Sequence, residues 1–130
     1  MENSCQTNHT SVSKVYYLES NHPDQYIAAR EMSCIILLIM GCDYTTIGKW
    51  LEISVHTVEK YLRTVRMRLC CKNRRFLTIK IFGSSLGGKL LKIYDEVFPR
   101  NGAKFSLMRK MLSNYLVHYR RLINSFDDQL

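Results

Sequence analysis

The sequence has no apolar stretch long enough to cross a bilayer. Its longest run, Cys34-Ile35-Ile36-Leu37-Leu38-Ile39-Met40, falls far short of the ~20 residues a transmembrane helix needs. Residues 1–13 are polar and lack the apolar core of a secretory signal. Cysteine is present but unpatterned: Cys5, Cys34, Cys42, Cys70 and Cys71 make an odd set with no Cys-x-x-Cys spacing. This argues against a disulfide framework and predicts reduced, packed thiols. His9, His22, His56 and His118 show no ligand spacing toward one another, which argues against a zinc site. The expectation is a soluble, cytoplasmic protein with no membrane contact, no metal and no cofactor.

Enzyme chemistry also lacks its parts. The acids Asp95-Glu96 and Asp127-Asp128 are adjacent pairs, and neighbouring side chains on a helix do not face each other. Gly83-Ser84-Ser85-Leu86-Gly87-Gly88 lacks the Lys-Ser/Thr ending of a phosphate loop and reads as a flexible linker. No serine or cysteine has a base at motif spacing. A binding protein is therefore expected; a small enzyme is the most distant alternative.

What the chain does have is a concentrated positive charge. Its 130 residues carry 19 bases against 11 acids, for a net charge of +8. Residues 1–46 hold two bases and five acids, while residues 81–130 hold eight bases and four acids. Between them, residues 47–80 hold nine bases (Lys49, Lys60, Arg63, Arg66, Arg68, Lys72, Arg74, Arg75, Lys80) against Glu52 and Glu59. A block of this kind suits a polyanion, because each cation placed at a phosphate releases condensed counterions. A merely solvated face is the alternative that charge alone leaves open.

Hydrophobic spacing places this block on helices. Arg30 to Met40 is too densely apolar for a surface stripe and predicts a core helix, stopped by Gly41. Asp43 is a candidate N-cap for a second helix, Tyr44 to about Leu51, and Ser54 for a third, Val55 to about Leu69. On the third, Val58, Leu62, Val65 and Leu69 form one apolar stripe, with Glu59, Lys60 and Arg63 on another face. Asn73 is placed to cap a fourth helix carrying Phe76, Leu77 and Ile79 to Phe82. Two helices joined by a short turn, the second basic on its open side, make a helix-turn-helix, whose second helix fits the major groove.

Arg30-Glu31, Leu37-Leu38, Gly41, Ile47, Leu51, Ile53-Ser54, Thr57-Val58, Leu62, Val65, Leu69 and Asn73-Arg74, in order and without a gap, resemble the LuxR-type (NarL/FixJ) DNA-binding domain. The resemblance covers about residues 27–82. It implies an all-α fold: a four-helix domain over residues 26–82, after a short segment 1–25 and before a helical extension 83–130. It further implies that the third helix reads DNA and that the fourth supports dimerisation. Carried over by position, the groove-facing residues are Glu59, Lys60 and Arg63. Ser54 and Thr57 fall at hydroxyl positions where capping or phosphate contact is expected, and Lys49, Arg66, Lys72 and Arg74 are further phosphate candidates.

Several residues depart from that pattern. Glu59 stands where a base is usual; it can accept from cytosine N4 or pair with Arg63 one turn on, the pair being the favoured reading. Tyr61 replaces a histidine. Ala28 replaces a capping threonine, at a cost of roughly 1 kcal/mol, and Thr46 replaces the glutamate of a capping box. Cys70 takes the place of a glycine, which strains the backbone if its φ is positive. Together they imply a divergent member with weakened DNA binding.

Residues 1–25 are too short for the receiver or ligand-binding domain that precedes many such modules, and Tyr16-Tyr17-Leu18 reads either as a remnant of one or as a packing segment. Beyond the domain, Leu90, Leu91, Tyr94 and Val97 have helical spacing, and Pro99-Arg100-Asn101-Gly102 makes a turn. Phe105, Met108, Leu112, Tyr115, Tyr119, Leu122 and Phe126 then recur every three or four residues as a heptad seam. The seam fits packing on the protein's own helices, or a dimer or partner interface. The expected function is a sequence-specific transcription regulator of duplex DNA, most simply a homodimer, with RNA polymerase or another regulator as further partners. A sigma-factor-like promoter-recognition module and an interaction module built on the C-terminal helix are the alternatives.

Overall fold

A computed structural model of the chain describes residues 14–100 and 102–129, with side chains as far as Arg121. It divides into two compact units, Met1–Leu90 and Leu91–Leu130.

The first unit opens with a β-hairpin. Strand β1 (Val15–Tyr17) pairs antiparallel with β2 (Tyr26–Ala28), Tyr16 lying opposite Ile27. The connecting turn contains His22, whose N–H donates to Glu19 O (3.2 Å) and whose carbonyl accepts from Gln25 N–H (3.1 Å). Strand pairing was not evident from the weak periodicity of residues 14–25. Of the two readings of Tyr16-Tyr17-Leu18, the packing segment is the one seen: Tyr16, Leu18 and Ile27 are buried and Tyr17 is exposed.

Helix α1 (Ala29–Ile39) follows directly, and every residue from Glu31 to Ile39 is buried, as the apolar density requires. It ends in a Schellman motif: Gly41 at φ 93° lets its own N–H reach Leu38 O and that of Cys42 reach Leu37 O. Within α1, burial pushes the Cys34 thiol up to about 12, the Glu31 charge adding to the effect. Asp43 then caps α2 (Tyr44–Leu51), its carboxylate accepting from Thr46 N–H at 2.8 Å, so the cap holds without a capping box.

Helices α3 (Val55–Arg68) and α4 (Arg74–Phe82) are capped by Ser54 and Asn73 as their sequences suggest. Val58, Leu62, Val65 and Leu69 of the α3 stripe and Leu77 and Ile81 of α4 are buried. A linker over residues 83–88 is not what forms. Ser84 Oγ accepts from Leu86 N–H and caps a 3-10 helix, Ser85–Lys89; Leu86 is buried, and Ser85 donates to Leu18 O from both its N–H and its hydroxyl. The segment is fixed because the anchored leucine and the two-fold tie outweigh the freedom of its glycines.

In the second unit, α5 (Leu90–Val97) starts after that 3-10 helix, and α6 runs from Gly102 to Gln129. Tyr94 joins the two: its ring stacks on Phe98 (centroids 4.7 Å) and lies 5.0 Å from Phe105, while its hydroxyl donates to Phe105 O at 2.8 Å. Arg109 grips Asp95 through Nε and Nη2, at 2.7 and 3.0 Å. Met108 and Leu112 of the heptad seam are buried, and Tyr115 and Tyr119 are half-buried with ring centroids 5.2 Å apart. Asn101 of the turn, and the side chains of Leu122 and Phe126, lie outside the described residues. None of the described helices is long and apolar enough to cross a membrane.

Candidate nucleic-acid interface

Two helices and the turn between them build the interface. At the end of α2, Glu52 turns left-handed (φ 58°) and Ile53 N–H returns to Gly48 O at 3.0 Å. Gly48 permits that approach, because a Cβ there would come within 2.8 Å of Ile53 O. Ser54 then starts α3: its hydroxyl accepts from Thr57 N–H at 3.1 Å and lies 2.9 Å from Thr57 Oγ1. Ser54 is thereby a capping residue, and with Thr57 it sets a small hydroxyl cluster at the positive end of the α3 dipole.

The buried stripe of α3 determines what the opposite side presents. His56, Lys60, Arg63 and Met67 recur at four, three and four residues, the same rhythm as the core stripe, and all four are exposed, as is Glu59. Lys60, Arg63 and Glu59 are the residues expected here from the sequence; His56 and Met67, the latter 73% exposed, are additional to them. Spacing alone would have found both. The favoured Glu59–Arg63 pair does not form among the described residues: neither side chain is buried, and water outcompetes so weak an exposed pairing.

The remaining bases divide into those left open and those engaged by the fold. Lys49, Lys72, Arg74 and Arg75 are exposed, with Lys72 Nζ over the Phe76 ring at 5.0 Å. Arg66 is half-buried and its Nη1 donates to Lys72 O at 3.3 Å, which engages one of its donors. Lys80 donates to Leu69 O at 3.0 Å. Arg68 is wholly structural: it holds both carboxylate oxygens of Glu31, at 2.7 and 3.1 Å, donates to Tyr26 O, and lies 4.2 Å from the Tyr26 ring centroid. The hydrogen-bonded Glu31 carboxylate raises the Arg68 pKa above its ordinary value, against the opposing effect of burial. Among the described residues no cluster of His, Cys, Asp or Glu could hold a metal ion.

A short tight turn, a second helix with one cationic side left open, and caps at both helix starts define a helix-turn-helix DNA-binding domain. The family of bacterial regulatory proteins called luxR matches residues 25–81, and this part of the chain is a LuxR-type helix-turn-helix domain. The class is one of DNA-binding transcription regulators. No curated protein and no solved structure matches the chain.

Proposed function

We propose that the chain is a sequence-specific regulator that lays α3 in the major groove of duplex DNA. The observation that carries this reading is the open side of α3, where Lys60 and Arg63 stand exposed opposite a fully buried stripe. Arg63 and Lys60 are suited to guanine O6 and N7, and Glu59, free of Arg63, to cytosine N4. Lys49, Lys72 and Arg74 are exposed and, with the Ser54 and Thr57 hydroxyls, are suited to phosphates; Arg66 has one donor taken up by Lys72 O. The bases supply salt-sensitive affinity and the three groove residues supply discrimination.

A homodimer fits the same reading. Phe76 and Ile79, one turn apart on α4, remain 45% and 58% exposed, an apolar pair that a second copy would cover. Two recognition helices so linked would read half-sites about one helical turn apart.

Selection of bound duplexes from a random pool, followed by fluorescence anisotropy over a salt series, tests the proposal. An enriched site with steeply falling affinity in log–log salt is expected, since each neutralised phosphate contributes a slope of about −0.9. No enrichment, or a slope near zero, would overturn it.

A further inference from the structure

The turn-by-turn alternation that buries Met108 and Leu112 leaves another side of α6 open. Leu107, Met111 and Val117 are 61%, 52% and 52% exposed. Leu107, Met111, Asn114, His118 and Arg121 recur at four, three, four and three residues, a second heptad-spaced stripe, and all are exposed, as is Lys110 beside it. From Gly102 to Arg121 the sequence holds five bases and no acid. Arg109 is engaged with Asp95, whereas Lys110 and Arg121 border the apolar residues.

We propose that this face of α6 docks an acidic amphipathic helix of a partner protein. Charge and shape both point to that occupant. A helix with an apolar stripe would cover Leu107 and Met111, while its flanking carboxylates met Lys110 and Arg121 in the neighbouring row, which also carries Val117; this is helix-on-helix recognition with electrostatic complementarity. Duplex DNA would satisfy the cations but leave the three apolar side chains with nothing to pack on. An anionic membrane would accept both, but Asn114 and His118 occupy the middle of the stripe, where acyl chains offer them no hydrogen-bond partner. A facing helix does offer such partners, and a polar residue in a heptad seam fixes register. The inference is independent of what α3 binds.

The test uses the full chain and a labelled synthetic helix with leucines on one face and glutamates beside them, against a scrambled peptide of equal composition. The helix is expected to bind about tenfold more tightly than the scrambled peptide. Leu107→Glu with Met111→Glu should abolish that preference, leaving helix content by circular dichroism and duplex DNA affinity unchanged. Lys110→Glu with Arg121→Glu should transfer the preference to a helix carrying lysines in place of the glutamates. Equal binding of helix and scrambled peptide would overturn the proposal, as would helix binding that survives Leu107→Glu/Met111→Glu. So would binding only to phosphatidylserine vesicles, which would assign the face to lipid.

Discussion

Arg68 and Glu31, 37 residues apart, are joined by two parallel hydrogen bonds that fasten the end of α3 to the start of α1. Glu31 Oε1 also accepts from Ala28 N–H at 2.9 Å, so the same carboxylate performs half of a capping box where Ala28 has no side chain to give. The guanidinium fork suits this arrangement because it fills both oxygens at once. Arg68→Ala leaves a mostly buried carboxylate without its counter-charge. The expected loss is roughly 2–3 kcal/mol, below the ~3–5 of a fully buried pair because Arg68 retains some solvent. Chemical denaturation measures it. Arg68→Lys should recover part of the loss, and full recovery would show that charge alone matters.

Cys70 occupies the left-handed position that ends α3. Its φ is 58°, its N–H reaches Met67 O, and that of Cys71 reaches Arg66 O, the same Schellman pattern that Gly41 makes after α1. A side chain in this conformation costs roughly 1–2 kcal/mol, partly offset by the greater unfolded-state freedom of glycine. Cys70→Gly is therefore expected to stabilise the protein by about 1 kcal/mol, read as a higher melting temperature. Cys70→Ala keeps the strain and should give no such gain.

Substitutions on the open side of α3 test base reading against charge. Lys60→Ala or Arg63→Ala should each cost ~1–3 kcal/mol on a selected duplex and much less on a random one. Equal losses on both would make the residue a phosphate contact. Glu59→Gln removes a negative charge from this face. Affinity for random duplex should rise, while preference for cytosine at the facing position should fall, and both are read by competition anisotropy.

For the proposed dimer, Ile79→Glu places a charge on the exposed side of α4. Sedimentation is expected to show a shift toward monomer and a weaker, shallower binding isotherm on a two-half-site duplex. An unchanged sedimentation coefficient would move the contact away from α4.

Acid sensitivity should come from two aspartates. Hydrogen bonding from Arg109 holds the Asp95 carboxyl below the usual aspartate range, and the Thr46 N–H does the same for the Asp43 cap. Carboxylates with lowered values contribute fully above the unfolded pKa of ~3.9, and lose that contribution as pH falls through it toward the folded value. Melting temperature should thus be flat above about pH 5 and fall below pH 4. Asp95→Asn and Asp43→Asn should each make the fall shallower; an unchanged acid limb would discount the group concerned.

Much of the first unit was legible in the sequence because its helices announce themselves twice, by stripe and by cap. Asp43, Ser54 and Asn73 sit where the expected caps fall, and α1 begins within one residue of the expected Arg30. Three-residue strands are different: Val15–Tyr17 is too short to show a period of two, and its partner lies beyond a turn. The 3-10 segment was hidden by its glycines, whose composition says linker while Leu86 says core. Arg68 could not be separated from the other bases by sequence, since what removes it from the cationic surface is a carboxylate 37 positions away. The exposure of His56 and Met67 follows from the same spacing that marks Lys60 and Arg63.

The tie from Ser85 to Leu18 spans 67 positions, the longest hydrogen-bonded connection described in the first unit. Closing so large a loop is entropically slow until the intervening helices have shortened it, so this tie belongs to the last stage of folding. It is also expected to open first when stability is lowered. In native-state hydrogen exchange the Ser85 amide should consequently exchange ahead of the α1 and α3 amides, and the domain would loosen from its two ends inward, with α3 the last part to lose its shape.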